Sequence, residues 1–203
     1  MCTRVVWNTE HSNVYLGRNM DWFQDIQTNL WTQPRGLKRS GMTAENPLEW
    51  TSKHGSLIAT AYELATADGI NDAGLIACML FLPETSVSPR DIAIPGLSIS
   101  MWAQYFLDMC GSVAEVVEHA SAGLFQLRMV EESQSGKMGT VHLAFTDKSG
   151  DSAIIECIEG DIHIYHDRRY IVMTNQPTFD KQLENLSQYR GFGGEKRLPG
   201  THE

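Results

Sequence analysis

The second residue constrains this chain most. Cys2 directly follows Met1, and a side chain that small at the penultimate position permits removal of the methionine. Removal leaves a thiol and a free α-amine on one residue. With an α-amine pKa of roughly 7.7–8.0 and a thiol near about 8.5, the amine serves as base for its own sulfur at neutral pH. Nucleophile and base then share one residue, as in enzymes with an N-terminal threonine. Taken alone, a cysteine at position 2 is more simply an accident of the start codon.

The segment that follows gives it weight. Residues 3–7 and 13–16 are strand-like and are separated by Asn8-Thr9-Glu10-His11-Ser12, which is turn chemistry. A hairpin there folds Arg18 and Asp21 back beside Cys2. A guanidinium in that place favours a thiolate, and a carboxylate holds the amine. The alternative is that Arg18 and Asp21 pair with each other on a solvated turn.

Composition sets outer limits. The 203 residues suffice for one domain, 1–203, with a sizeable core. A net charge of −9 argues against nucleic acid or an anionic membrane surface as partner. Arg35, Lys38 and Arg39 make either a local positive pocket or a solvated face. No two of Cys2, Cys78, Cys110 and Cys157 form a CxxC pair, and no His/Cys cluster has zinc spacing, so no metal site is expected. The apolar surroundings of Cys78, Cys110 and Cys157 mark them as buried structural thiols. No apolar run is long enough for a bilayer, and no basic-then-apolar leader is present. As written, the chain reads as cytoplasmic.

Along the chain, residues 22–55 carry many turn formers and the aromatics Trp22, Trp31 and Trp50, and read as strand and long loop. Trp31 and Trp50 fit a binding cleft or the core equally well. Residues 56–62 and 75–82 read as two strands of a second hairpin, turning at residues 69–74. Residues 97–107 shift to helical periodicity, with Ser98 as N-cap and Gly111 as stop. Ser112 caps a second helix, 113–119, with Glu115 in the capping-box place. Strands return at 141–146, 152–158, 162–166 and 170–174, and a helix at 180–188. His163 and His166 fall on the alternating strand as surface or half-buried side chains. Strands, helices and strands again, joined by short turns, predict an α+β layered domain with antiparallel pairing.

Several stretches together resemble the choloylglycine hydrolase family of N-terminal nucleophile hydrolases. They are Cys2-Thr3-Arg4, Gly17-Arg18-Asn19-Met20-Asp21-Trp22, Thr28-Asn29-Leu30-Trp31, Asp68-Gly69-Ile70-Asn71, Pro95-Gly96-Leu97-Ser98, Met173-Thr174-Asn175-Gln176-Pro177 and Leu198-Pro199-Gly200-Thr201. The series runs in order from end to end, and its nearest look is to the Gram-negative penicillin V acylase branch. The resemblance implies a four-layer αββα sandwich, two mainly antiparallel sheets between helix layers. It also implies an amidase, with Cys2 as nucleophile, Arg18 and Asp21 beside it, and Asn175 as a side-chain amide donor to the oxyanion. Trp22 and Trp31 are the expected substrate contacts. Cys78 is aligned with a family asparagine and is expected to support substrate or oxyanion. The implied substrates are small N-acyl amides: penicillin V, N-acyl homoserine lactones or related compounds, ahead of conjugated bile salts. No cofactor is called for, and a homotetramer is the family's common assembly.

Two departures qualify the expectation. Cysteine replaces that asparagine at position 78, and the family continues past the Leu-Pro-Gly-Thr stretch into further strands and another active-site arginine. A catalytically impaired, C-terminally shortened member is therefore the alternative to a working acylase. A redox thiol protein is disfavoured, because no second cysteine lies near Cys2 in sequence. Branch members carry leaders cut just before the cysteine. Met1 in place of such a leader would make the protein periplasmic.

Overall fold

Two antiparallel sheets lie face to face, with the first two helices on the far side of the larger one. The structure, a computed structural model, describes residues 1–9, 13–130 and 139–200. Its strands are β1 (Thr3–Asn8), β2 (Val14–Asn19), β3 (Leu30–Gln33), β4 (Lys38–Ser40), β5 (Glu49–Thr51), β6 (Ser56–Ala61) and β7 (Ala65–Asn71). They continue as β8 (Ile76–Phe81), β9 (Gly96–Ser98), β10 (Gln126–Arg128), β11 (Val141–Thr146), β12 (Ser152–Ile158), β13 (Asp161–His166) and β14 (Val172–Thr174). The helices are α1 (Trp102–Met109), α2 (Val113–Ser121) and α3 (Phe179–Leu186). The larger sheet has the order β13-β12-β11-β8-β7-β6-β3, and the smaller β14-β1-β2.

The expected first hairpin forms, with Thr3 opposite Asn19 and Asn8 opposite Val14. Glu10, His11 and Ser12 of its turn lie outside the described residues. Period-two alternation sends Arg4 and Val6 inward from β1 and leaves Val5 and Trp7 exposed. In the larger sheet the same pleat separates two cores. Ala77, Leu143, Phe145, Ala153 and Ile155 face the helices. Cys78, Leu80, Ala144 and Ile154 face the smaller sheet, meeting Cys2, Met173 and Phe179.

An eight-residue helix is marginal in water, so packing has to hold α1. It buries Trp102 through Asp108, at about 1.5–3 kcal/mol for each large apolar side chain, which outweighs the cost of nucleation. Its approach to β7 is close: a Cβ on Gly69 would lie 2.6 Å from Leu107 Cδ1 and 2.9 Å from Ile58 Cγ2. Asp108 is fully buried but satisfied by Arg39 Nε, Trp50 Nε1 and Gln104 Nε2 at 3.2, 2.8 and 2.7 Å.

Two expectations are corrected here. The expected pairing of 56–62 with 75–82 fails, because β7 lies between β6 and β8 and pairs with both. Its sequence, Ala-Thr-Ala-Asp-Gly-Ile-Asn, carries few of the residues enriched in strands; small residues are what let α1 approach. The helix expected from 97 starts later. Gly96–Ser98 is extended and pairs in parallel with β10. Ser98 Oγ then accepts from Ser100 N to cap a 3-10 turn, and α1 begins at Trp102. The Ser112 cap is as expected, accepting from Glu115 N at 3.3 Å.

Helix, sheet and sheet make three layers of the expected sandwich. The outer face of the smaller sheet, with Trp7 at 70% and Tyr15 at 57% exposure, is open among the described residues. No helix among those residues is long and apolar enough to cross a membrane.

Candidate active site

The site lies where one ladder ends early. Pairing between β7 and β8 stops at Asp68 opposite Cys78, while β8 stays paired with β11 as far as Phe81. Strands β7 and β6 remain together beyond that point. Main-chain groups of β8 past Cys78 are thus left without a strand on the β7 side, and unsatisfied backbone is costly. Side chains from the smaller sheet fill the gap. Arg18 Nη2 donates to Met79 O and Asn175 Nδ2 donates to Phe81 O, both at 2.9 Å.

Cys2 sits at the mouth of this gap. It immediately precedes β1, whose first residue pairs with Asn19 on one side and Thr174 on the other. Asn175, next after β14, accepts from Cys2 N at 2.5 Å through Oδ1. Its side-chain amide therefore spans the two sheets, from Cys2 N to Phe81 O. Cys2 is 3% exposed and lines a pocket with a cavity volume of about 130 Å³, open to solvent. Met20, Trp22, Ile26, Ala67, Met79 and Phe81 make most of its wall apolar.

Two arginines lie on the hairpin that follows Cys2. Arg4 and Arg18 are register partners on β1 and β2. Arg4 is fully buried, donates to Tyr170 O, Phe145 O and Ser152 Oγ, and has its pKa lowered to about 10 by burial. Arg18, also lining the pocket, pairs with Asp68. Burial raises the Asp68 pKa, outweighing the pull of Arg18. Arg18 Nε is buried and has no hydrogen-bond partner. A guanidinium beside an apolar pocket suits an anion or a developing negative charge.

Asp21 lies at the chain's amino end. Its Oδ2 and its carbonyl oxygen each accept from the Met1 ammonium at 2.9 Å. It does not pair with Arg18, whose carboxylate partner is Asp68. Trp22 lies against Phe81, ring centroids 5.3 Å apart, and lines the pocket as expected.

Two expected site residues lie elsewhere. Trp31 is on β3, the edge strand of the larger sheet, and borders a separate depression with Lys38, Arg39 and Met42. Cys78 is 1% exposed and packed between the sheets. Burial and the adjacent Asp68 carboxylate push its thiol far above the ordinary value. The pocket wall on β8 is made instead by Met79 and Phe81. Asp68 carried no assigned role in the sequence, where Asp-Gly reads as a turn; its only signal was its place in a family-like stretch. Cys110 and Cys157 are buried, with thiols pushed up to about 12 and about 11 by burial.

Comparison with known proteins settles the ancestry. Residues 2–198 match the family described as linear amide C–N hydrolases, choloylglycine hydrolase family. The chain belongs to the choloylglycine hydrolase family. Within it, the penicillin V acylase of Pectobacterium atrosepticum is 43% identical over 99% of this chain and 56% of its own length. The structure of penicillin V acylase from Agrobacterium tumefaciens superposes with a TM-score of 0.87 at 46% identity, covering 98% of this chain and 60% of that one. The C2A mutant of the conjugated bile acid hydrolase from Clostridium perfringens gives 0.80 at 27% identity, covering 94% and 58%. These neighbours confirm the N-terminal nucleophile hydrolase sandwich. The chain thus spans somewhat under two thirds of the length of these choloylglycine hydrolase relatives.

Proposed function

We propose that this chain carries the nucleophile half of an N-acyl amide hydrolase, with Cys2 attacking the acyl carbonyl once Met1 is removed. The observation that carries this reading is the placement of Cys2. It is nearly buried, lines an apolar pocket beside Arg18, and has its nitrogen bound to Asn175 Oδ1 at 2.5 Å.

While Met1 is attached, the Cys2 nitrogen is an amide and cannot accept a proton. Hydrolysis of the Met1–Cys2 bond makes it an amine. That amine takes the thiol proton, the thiolate adds to the carbonyl carbon, and the carbonyl π electrons move onto oxygen. Asn175 Nδ2 uses one hydrogen on Phe81 O, and its second is the donor assigned to that oxyanion. Collapse of the tetrahedral intermediate breaks the C–N bond, and the amine of Cys2 returns the proton to the leaving nitrogen. Water then hydrolyses the thioester, with the same amine as base. Asp21, already on the ammonium one residue upstream, holds the amino end throughout.

The apolar wall suits an aromatic or aliphatic acyl group, which supports penicillin V and N-acyl homoserine lactones as candidate substrates. The test is turnover of penicillin V by the purified chain and by Cys2→Ala. Loss of all measurable hydrolysis in Cys2→Ala, with unchanged circular dichroism, is the expected result. Hydrolysis at the wild-type rate in that variant would remove Cys2 from the mechanism.

A further inference from the structure

We propose that Tyr62 determines acyl specificity by clamping the 20–29 segment, so that Trp22 stands as one wall of the pocket. This rests on the acyl-pocket reading above. The backbone gives the first sign. Tyr62 and Glu63 have φ values of 55° and 57°, a left-handed conformation that is strained for a residue with a side chain. Glycine or asparagine usually fills such turn positions. The turn itself, closed by Leu64 N donating to Ala61 O at 3.2 Å, gives no reason for a tyrosine.

The reason lies across the pocket. Residues 20–29 have no regular secondary structure and so no ladder of their own to fix them. Tyr62 supplies three ties. Its backbone N–H donates to Ile26 O at 2.6 Å. Its hydroxyl accepts from Gln24 Nε2 at 2.6 Å and from Trp22 Nε1 at 3.1 Å. Trp22 is thereby set between the Tyr62 hydroxyl and the Phe81 ring, and Phe81 O is the group bound by Asn175. The indole wall is referenced to the element that holds the nucleophile. A flat aromatic acyl group depends on that wall being fixed; a short acyl group that does not reach it is indifferent.

The experiment is a double-mutant cycle of Tyr62→Phe and Trp22→Phe, read in two ways. Kinetically, Tyr62→Phe is expected to raise KM for penicillin V about three- to tenfold, with a smaller fall in kcat. The same change should leave KM for the corresponding acetyl amide within about twofold. Calorimetric binding of phenoxyacetic acid reads the same wall without turnover. There each single change weakens binding, and Tyr62→Phe adds nothing in the Trp22→Phe background. Absence of turnover in the wild type would remove the proposed hydrolysis but leave the binding cycle to decide the clamp. Additive effects in the cycle, or no binding of phenoxyacetic acid by the wild type, would overturn the clamp.

Discussion

Asn175 does two jobs with one amide: Oδ1 orders the nitrogen of Cys2, and Nδ2 closes the open end of β8 at Phe81. Asn175→Ala removes both, and with them the donor proposed for the oxyanion, so kcat for amide hydrolysis is expected to fall about 10²–10³-fold. Steady-state kinetics on penicillin V checks this, and a variant that keeps most of its kcat would contradict the role. The candidate site residues were legible only as a series. Cys2, Arg18, Asp21 and Asn175 stand out because family-like stretches surround them, and the structure brings all four to one end of the smaller sheet. Trp31 stood in a similar stretch and went astray, because motif proximity does not say which side of a sheet edge a side chain serves. Cys78 went astray because its side chain falls on the inter-sheet face of β8, while Met79 and Phe81 line the pocket. Tyr62 gave no signal, since a positive φ at a tyrosine is invisible in sequence.

At the scale of elements, turn chemistry and alternation located most strands, and β11 and β12 have the expected bounds. What failed was β7, whose small and polar residues follow from the demands of α1 above it rather than from strand propensity. A second element-scale feature also escaped the sequence. Asp147, in the turn between β11 and β12, accepts from Val113 N at the start of α2 at 2.9 Å and from Ser149 N at 2.8 Å. Burial pulls its pKa up, but these hydrogen bonds and that of Ser149 Oγ outweigh it, and the carboxyl is held below its ordinary value. A carboxyl with a depressed folded pKa contributes stability that is present above the unfolded value of 3.8 and lost as pH falls through the folded one. Asp147→Asn should therefore cost about 1 kcal/mol at pH 7. The deficit should shrink as urea unfolding is repeated at pH values descending below 4. A deficit independent of pH would contradict this account.

For the whole molecule, the pocket explains why function was harder to read than fold. Its lining comes from Cys2, from 18–26, from 61–67, from Met79 and Phe81, from 99–100, and from 130 and 139–141, and no window of sequence contains it. It exists because one sheet loses a ladder where the other inserts two polar side chains. Net charge and composition argued against nucleic acid or an anionic membrane surface as partner without naming a substrate, so the reading turns on Cys2 itself. The most direct test is the intact mass of the purified chain, recorded before and shortly after mixing with penicillin V. The expected result is a chain lacking Met1 that transiently gains one phenoxyacetyl group, located at Cys2 by peptide mapping and absent in Cys2→Ala. A chain that lacks Met1 and gains no acyl group while hydrolysing penicillin V, or one that gains it equally in Cys2→Ala, would contradict the account.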